Sequence, residues 1–145
     1  MQQEKDYLKR EIQKLNIFLT NLISKIIGIN AQNSSNEIQN INENLKEQLD
    51  LSFNEIIQLS DKDFYKKIAD IHESHLEKIA ELIIEFTEQI EKENIQSGLD
   101  KHSLLMKSIM TMDYLESKTN TFSMQRSAMK QRATTMYKKN RASKC

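Results

Sequence analysis

Between Leu8 and Ile29 the apolar residues Leu8, Ile12, Leu15, Leu19, Leu22, Ile26 and Ile29 recur at alternating steps of four and three. That spacing lays one continuous stripe along a helix, so the pattern predicts an opening helix from about Gln3 to Ile27 whose stripe must be covered. Before Asn16 the seam is narrow and suits one neighbour. From Ile17 onward Phe18, Ile23 and Ile27 widen it, and this half is expected to need at least two. Gly28 stands where a left-handed cap would end the helix.

Polar residues from Ala31 to Ser35 mark the first connection. Ser34 with Glu37 and Ser52 with Glu55 both match the capping-box spacing, in which a hydroxyl and a carboxylate three residues apart satisfy each other's backbone N–H groups. They bracket a second helix with the stripe Ile38, Ile41, Leu45 and Leu49, and start a short third helix carrying Phe53, Ile56 and Ile57. Ser60, three residues before Asp63, reads as the next N-cap. A long fourth helix is expected from Asp61 to Asn94, with Phe64, Ile68, Ile71, Leu82, Phe86 and Ile90 on one face. Gly98 centres a turn over Gln96 to Asp100. A fifth helix, Asp100 to Ser117, presents Leu105, Ile109 and Met112. Thr119 to Ser123 supplies hydroxyl caps for a last helix that uses Met129, Ala133 and Met136. Beyond Tyr137 the stripe ends, so residues 138–145 are expected to form a basic, fraying tail behind a single domain over 1–137.

Composition supports an all-α fold. There is no proline and only two glycines among 145 residues, and 38% of the chain is apolar against 29% charged. The lone cysteine, Cys145, excludes an intrachain disulfide and lacks the three following residues that prenylation requires. Acidic Glu4 and Asp6 precede an interrupted apolar run, unlike a secretory signal, so a cytoplasmic setting is expected. Asn16, Thr20, Asn21, Ser24 and Lys25 break the run that membrane spanning would need, which argues against integral insertion.

Charge changes the picture more. Lysine and arginine total 21, as do aspartate and glutamate, yet no acid follows Glu116. The last stretch carries Lys118, Arg126, Lys130, Arg132, Lys138, Lys139, Arg141 and Lys144. A basic final helix can bind nucleic acid, with Arg126, Lys130, Arg132, Lys138 and Lys139 as the patch, or an anionic membrane, or it can dock on the acidic body of its own chain or of a neighbouring copy. Docking is the simpler expectation, because the complementary charge is already present and Tyr137 is the only aromatic in the patch available for stacking.

The helix ending near Ile90, the turn at Gly98 and the string L-L-M-K-S-I-M from Leu104 to Met110, with small Ser108 at the contact, resemble a single tetratricopeptide-type hairpin. Three strings extend the likeness: D-Y-L-K-R-E-I-Q-K-L (Asp6 to Leu15), L-S-D-K-D-F (Leu59 to Phe64) and Y-L-E-S-K-T-N-T-F-S-M-Q-R (Tyr114 to Arg126). Together they resemble a family of small bacterial all-helical proteins of unknown function. That resemblance implies a long N-terminal helix ahead of a tetratricopeptide-like antiparallel array, and a bacterial origin. It carries no catalytic residues.

Candidate chemistry is sparse. Asp70, His72, Glu73, His75 and Glu77 are the one dense cluster of metal-ligand types, but the two histidines lie three apart, whereas H-E-x-x-H needs four. Packed or hydrogen-bonded histidines are the expected outcome, and no metal or cofactor is assigned. Two isolated glycines cannot make a phosphate-cradling loop, and Cys145 has no positioned base. The six methionines from Met106 to Met136 fit core filling better than an adaptable binding groove. Five or six helices are therefore expected to form a non-enzymatic interaction or scaffold module. Its first candidate contact is self-association through Leu8, Leu15, Leu19, Leu22 and Ile26, with a homodimer or another protein as partner. Nucleic-acid binding by the basic helix, or membrane-surface binding through Phe18, Ile23 and Ile27, are the alternatives.

Overall fold

A computed structural model describes residues 2–119 and 123–143, with side chains over 6–119 and 123–139. Cys145, Lys144, and Thr121 and Phe122 of the expected capping stretch lie outside the described residues, as does the side chain of Arg141. The described residues form seven helices: α1 (Gln2–Ile27), α2 (Ser34–Leu49), α3 (Phe53–Gln58), α4 (Asp61–Ala69), α5 (Glu73–Lys92), α6 (Lys101–Thr119) and α7 (Met124–Ser143). The all-α class is as expected, and the count exceeds the expected five to six.

The additional helix arises because the stretch from Asp61 to Asn94 is broken at Asp70–His72. His72 adopts an extended backbone (φ −61°, ψ 144°), and its Nδ1 accepts the Ser74 N–H at 3.2 Å, so an imidazole serves as the N-cap of α5. Two other local expectations are corrected. Ser34 is the first residue of α2 rather than its cap, and no side chain caps that end. Asn30 and Asn33 instead knit the connection, Asn33 Oδ1 accepting from Asn30 N at 2.8 Å and Asn30 Oδ1 from Gln32 N and Asn33 N. Nor does Gly28 turn left-handed; α1 closes on the tighter i→i−3 bonds from Gly28 to Lys25 and Ile29 to Ile26, both 3.1 Å. The Ser52–Glu55 capping box and the Ser60–Asp63 cap both form. Helix α7 continues past Tyr137 to Ser143, across the basic stretch set apart as a tail.

Helix α5 is the centre of the molecule. It runs parallel to α1: His75 meets Ile12, Ser74 meets Asn16, and Gln89 Nε2 donates to the Ile29 carbonyl at 2.8 Å. It turns at Gly98 (φ +76°) into α6, which packs back along it. Helix α7 then lies against α6 and α5. Two apolar clusters result. The larger joins α1 to α6 around Phe53, Phe64 and Phe86, with Phe53 and Phe86 stacked at 4.3 Å between ring centroids. The smaller lies on the other side of α5 and α6, where Ala80, Ile84, Leu105 and Met112 meet Met129 and Ala133 of α7.

Candidate interaction surfaces

The seam on α1 is divided by the body of the molecule. Leu19, Leu22 and Ile26 are buried in the larger core, so these three of the five candidate interaction residues are already used within the chain. Leu15 is half-buried against that core, and Leu8 is 59% exposed. The reason is one of length. Helix α5 begins opposite Ile12 to Asn16, so the turns of α1 before that point project past its start. Tyr7, beside Leu8, is 62% exposed.

Where the overhang meets the body, Leu8, Ile12, Leu15 and Phe18 line one side of a groove of about 370 Å³, with Glu11 and Lys14 flanking it. Gln48 at the end of α2 and His75 at the start of α5 complete it. These last two lie far away in the sequence, which is why the seam alone did not reveal the groove. His75 is buried, and its Nε2 lies 3.0 Å from the Ile12 carbonyl. A carbonyl oxygen only accepts, so Nε2 carries the proton there. His72 and His75 are 5.5 Å apart by ring centroid, one a cap and the other a clamp on α1. Among the described residues, no three side chains of metal-ligand type gather closely enough to hold an ion.

Three basic residues of α7 have carboxylate neighbours on α5 and α6. Arg126, 6% exposed, lies 3.9 Å from Glu77 and donates to Thr119 Oγ1 at 3.3 Å. Lys130 pairs closely with Asp113 and lies 3.9 Å from Glu116. Arg132 reaches Glu85 at 3.1 Å and Glu88 at 2.5 Å. Asp113, through its hydrogen bond, holds the Lys130 ammonium above the usual lysine range. Burial works against the charge of Arg132, but Glu88 and Glu85 outweigh it and raise its pKa. Lys138 and Lys139 are exposed. Docking of the basic helix on its own acidic body is thus the arrangement observed, and it takes up three of the five residues of the basic patch.

Surface binding to a membrane would draw on Phe18, Ile23 and Ile27. Ile23 is 8% exposed and Phe18 packs against the core, leaving Ile27 as the open one of the three. Among the described residues, no helix is long and apolar enough to cross a membrane.

One buried group has no counterpart in the sequence pattern. Lys107, 4% exposed in α6, donates to the carbonyls of Ile56, at 3.1 Å, and Leu59, and its ammonium lies 5.0 Å from the centroid of the Phe64 ring. It caps the end of α3. Burial lowers its pKa, opposed by the negative charge of Asp61.

No family model, curated protein or solved structure matches the chain.

Proposed function

We propose that the chain is a non-enzymatic helical interaction module that self-associates through the first half of α1. The observation that carries this reading is the exposure of Leu8, in register with a seam whose second half is fully buried. A leucine at a seam position gains nothing from water, and a second α1 overhang laid against Leu8, Ile12 and Leu15 would bury all three. Lys9, Arg10 and Lys14 flank the stripe together with Asp6 and Glu11, a mixed-sign border that two copies can share.

The proposal includes a tetratricopeptide-like character for the α5–α6 pair, supported by its antiparallel packing across Gly98 and by fully buried Ser108. It also includes a bacterial, cytoplasmic setting, supported by the three resembling strings and by the absence of a cysteine pair.

Analytical ultracentrifugation at micromolar concentration tests the self-association. The expected result is a dimer that becomes monomeric in Leu8→Glu and in Tyr7→Ser, both exposed positions, with helix content by circular dichroism unchanged. A native chain that sediments as a monomer over that range ends the reading.

A further inference from the structure

The surface beneath α7 has a chemistry of its own. Ala80 and Ile84 of α5 with Leu105 and Met112 of α6 form an apolar floor, and Ile109 lies at its margin. Carboxylates rim it on both sides, Glu77, Glu85 and Glu88 from α5 and Asp113 and Glu116 from α6. The helix seated there is the reverse: it has no acid, offers Met129 and Ala133 to the floor, and sends Arg126, Lys130 and Arg132 to the rim.

The attachment of α7 differs from that of every other helix. Among the described residues, no side chain of α7 belongs to the larger core, which closes around α1 to α6. Between Met124 and Lys139 the buried side chains are Arg126, Met129 and Ala133 alone, and alanine and methionine make a narrow apolar strip for a 20-residue helix. Half-buried Met136 and Tyr137 extend it, Tyr137 stacking on His102 of α6 at 3.9 Å between ring centroids, and the rest of the hold is ionic or hydrogen-bonded. The Lys130 and Arg132 side chains are 36% and 40% exposed in their pairs, an exposure at which salt screens the attraction. A helix held this way opens locally at a free energy below that of the global fold.

We infer that the α5–α6 groove is a receptor for basic amphipathic helices and that α7 occupies it as a tethered, exchangeable ligand. When α7 lifts, the groove takes a partner's helix of the same chemistry: free of acids, with a stripe of methionine and small residues, and with arginine or lysine beside it. Methionine on the floor suits such exchange, because its flexible thioether repacks against differing side chains. This site is separate from the α1 overhang, and its test is independent of self-association.

The experiment uses the full-length chain and, as probe, a fluorescently labelled peptide of residues 123–143. By hydrogen exchange, α7 amides are expected to open at least about tenfold more often than those of α5, and more often still at about 1 M salt, where the screening length falls to ~3 Å. The peptide is expected to bind in trans. It should bind severalfold more tightly to the chain carrying Lys130→Glu and Arg132→Glu, whose own helix competes less, and that gain should be lost when Glu85→Gln and Glu88→Gln are added to the same chain, which removes the acceptors for the peptide's arginine. The first pair alters only partly exposed side chains of α7, so a change there does not depend on refolding the body. The inference is overturned if α7 exchanges only together with α5 and without salt dependence, or if weakening the resident helix leaves peptide affinity unchanged.

Discussion

The Nε2 of His75 lies 3.0 Å from the main-chain oxygen of Ile12, joining the first turn of α5 to the point where α1 leaves the body. Replacing the ring with a leucine of similar bulk keeps the packing and removes the donor. His75→Leu is expected to cost about 0.5–1.5 kcal/mol in urea denaturation, the usual worth of one such bond. Amides of α1 before Ile12 should exchange faster in the variant.

His72 accepts from the Ser74 backbone and also lies 2.8 Å from its hydroxyl, so its capping depends on a free Nδ1 lone pair. His72→Asn supplies another good cap and should melt close to the native chain. His72→Ala should lose about 1 kcal/mol, measured by thermal unfolding.

Lys107 gives a pH dependence whose sign is set by its lowered pKa. Below its folded-state value the buried charge is a constant cost. As pH rises from there toward the ordinary 10.5, the unfolded chain holds its proton more firmly than the folded one, so stability gains. Lys107→Met strands the Ile56 and Leu59 carbonyls and should cost about 1–3 kcal/mol at neutral pH. Urea denaturation through the alkaline range should show the deficit widening, because the variant lacks that gain.

At the acid end the relevant cluster is Lys46, Asp50 and Glu55. Hydrogen bonds from Lys46, at 2.9 Å to Asp50 and 2.8 Å to Glu55, hold both carboxyls below their ordinary values of 3.8 and 4.5. The stability they add is complete above those values and is lost as pH falls through the lowered ones. Lys46→Met should therefore flatten the fall in melting temperature between about pH 5 and pH 3.

Local rules account for the features that were legible in the sequence. Ser52 with Glu55 and Ser60 with Asp63 each satisfy a neighbouring backbone by themselves, and Gly98 takes the left-handed φ of its turn without a Cβ, so spacing was enough to place them. The break at Asp70–His72 escaped because its cap is a histidine, outside the usual serine, threonine, aspartate and asparagine set, with no glycine or proline beside it. At Ser34 the capping-box spacing was present, but Asn30 and Asn33 satisfied the connection first. Likewise, the chain leaves α5 through Asn94, just past the Glu93 cap, in the left-handed region (φ 53°) that glycine most readily adopts.

The candidate site was half legible. The stripe on α1 was visible, but one repeat of leucine and isoleucine spans an exposed half and a buried half, and only the length and starting point of α5 divide them. Charge asymmetry pointed to a docked basic helix, while the pairing of Arg132 with Glu85 and Glu88 required the fold. Lys107 gave no signal, because a lysine among Met106, Ser108 and Ile109 reads as the wet side of a helix until α3 lies across it.

The position of α5 between two apolar clusters has a consequence for variation. Of its twenty residues only Glu73, Glu88 and Lys92 are exposed. In a saturation mutagenesis screen this helix, like α6, whose exposed residues are Asp113, Ser117 and Lys118, should form a nearly unbroken band of intolerance, where α1 and α2 show one forbidding stripe and one permissive one. Because Ile83 and Ile84 are adjacent in the chain yet belong to different clusters, substitutions at these two neighbours should fail for separate reasons. The first would loosen the body, and the second would release the last helix.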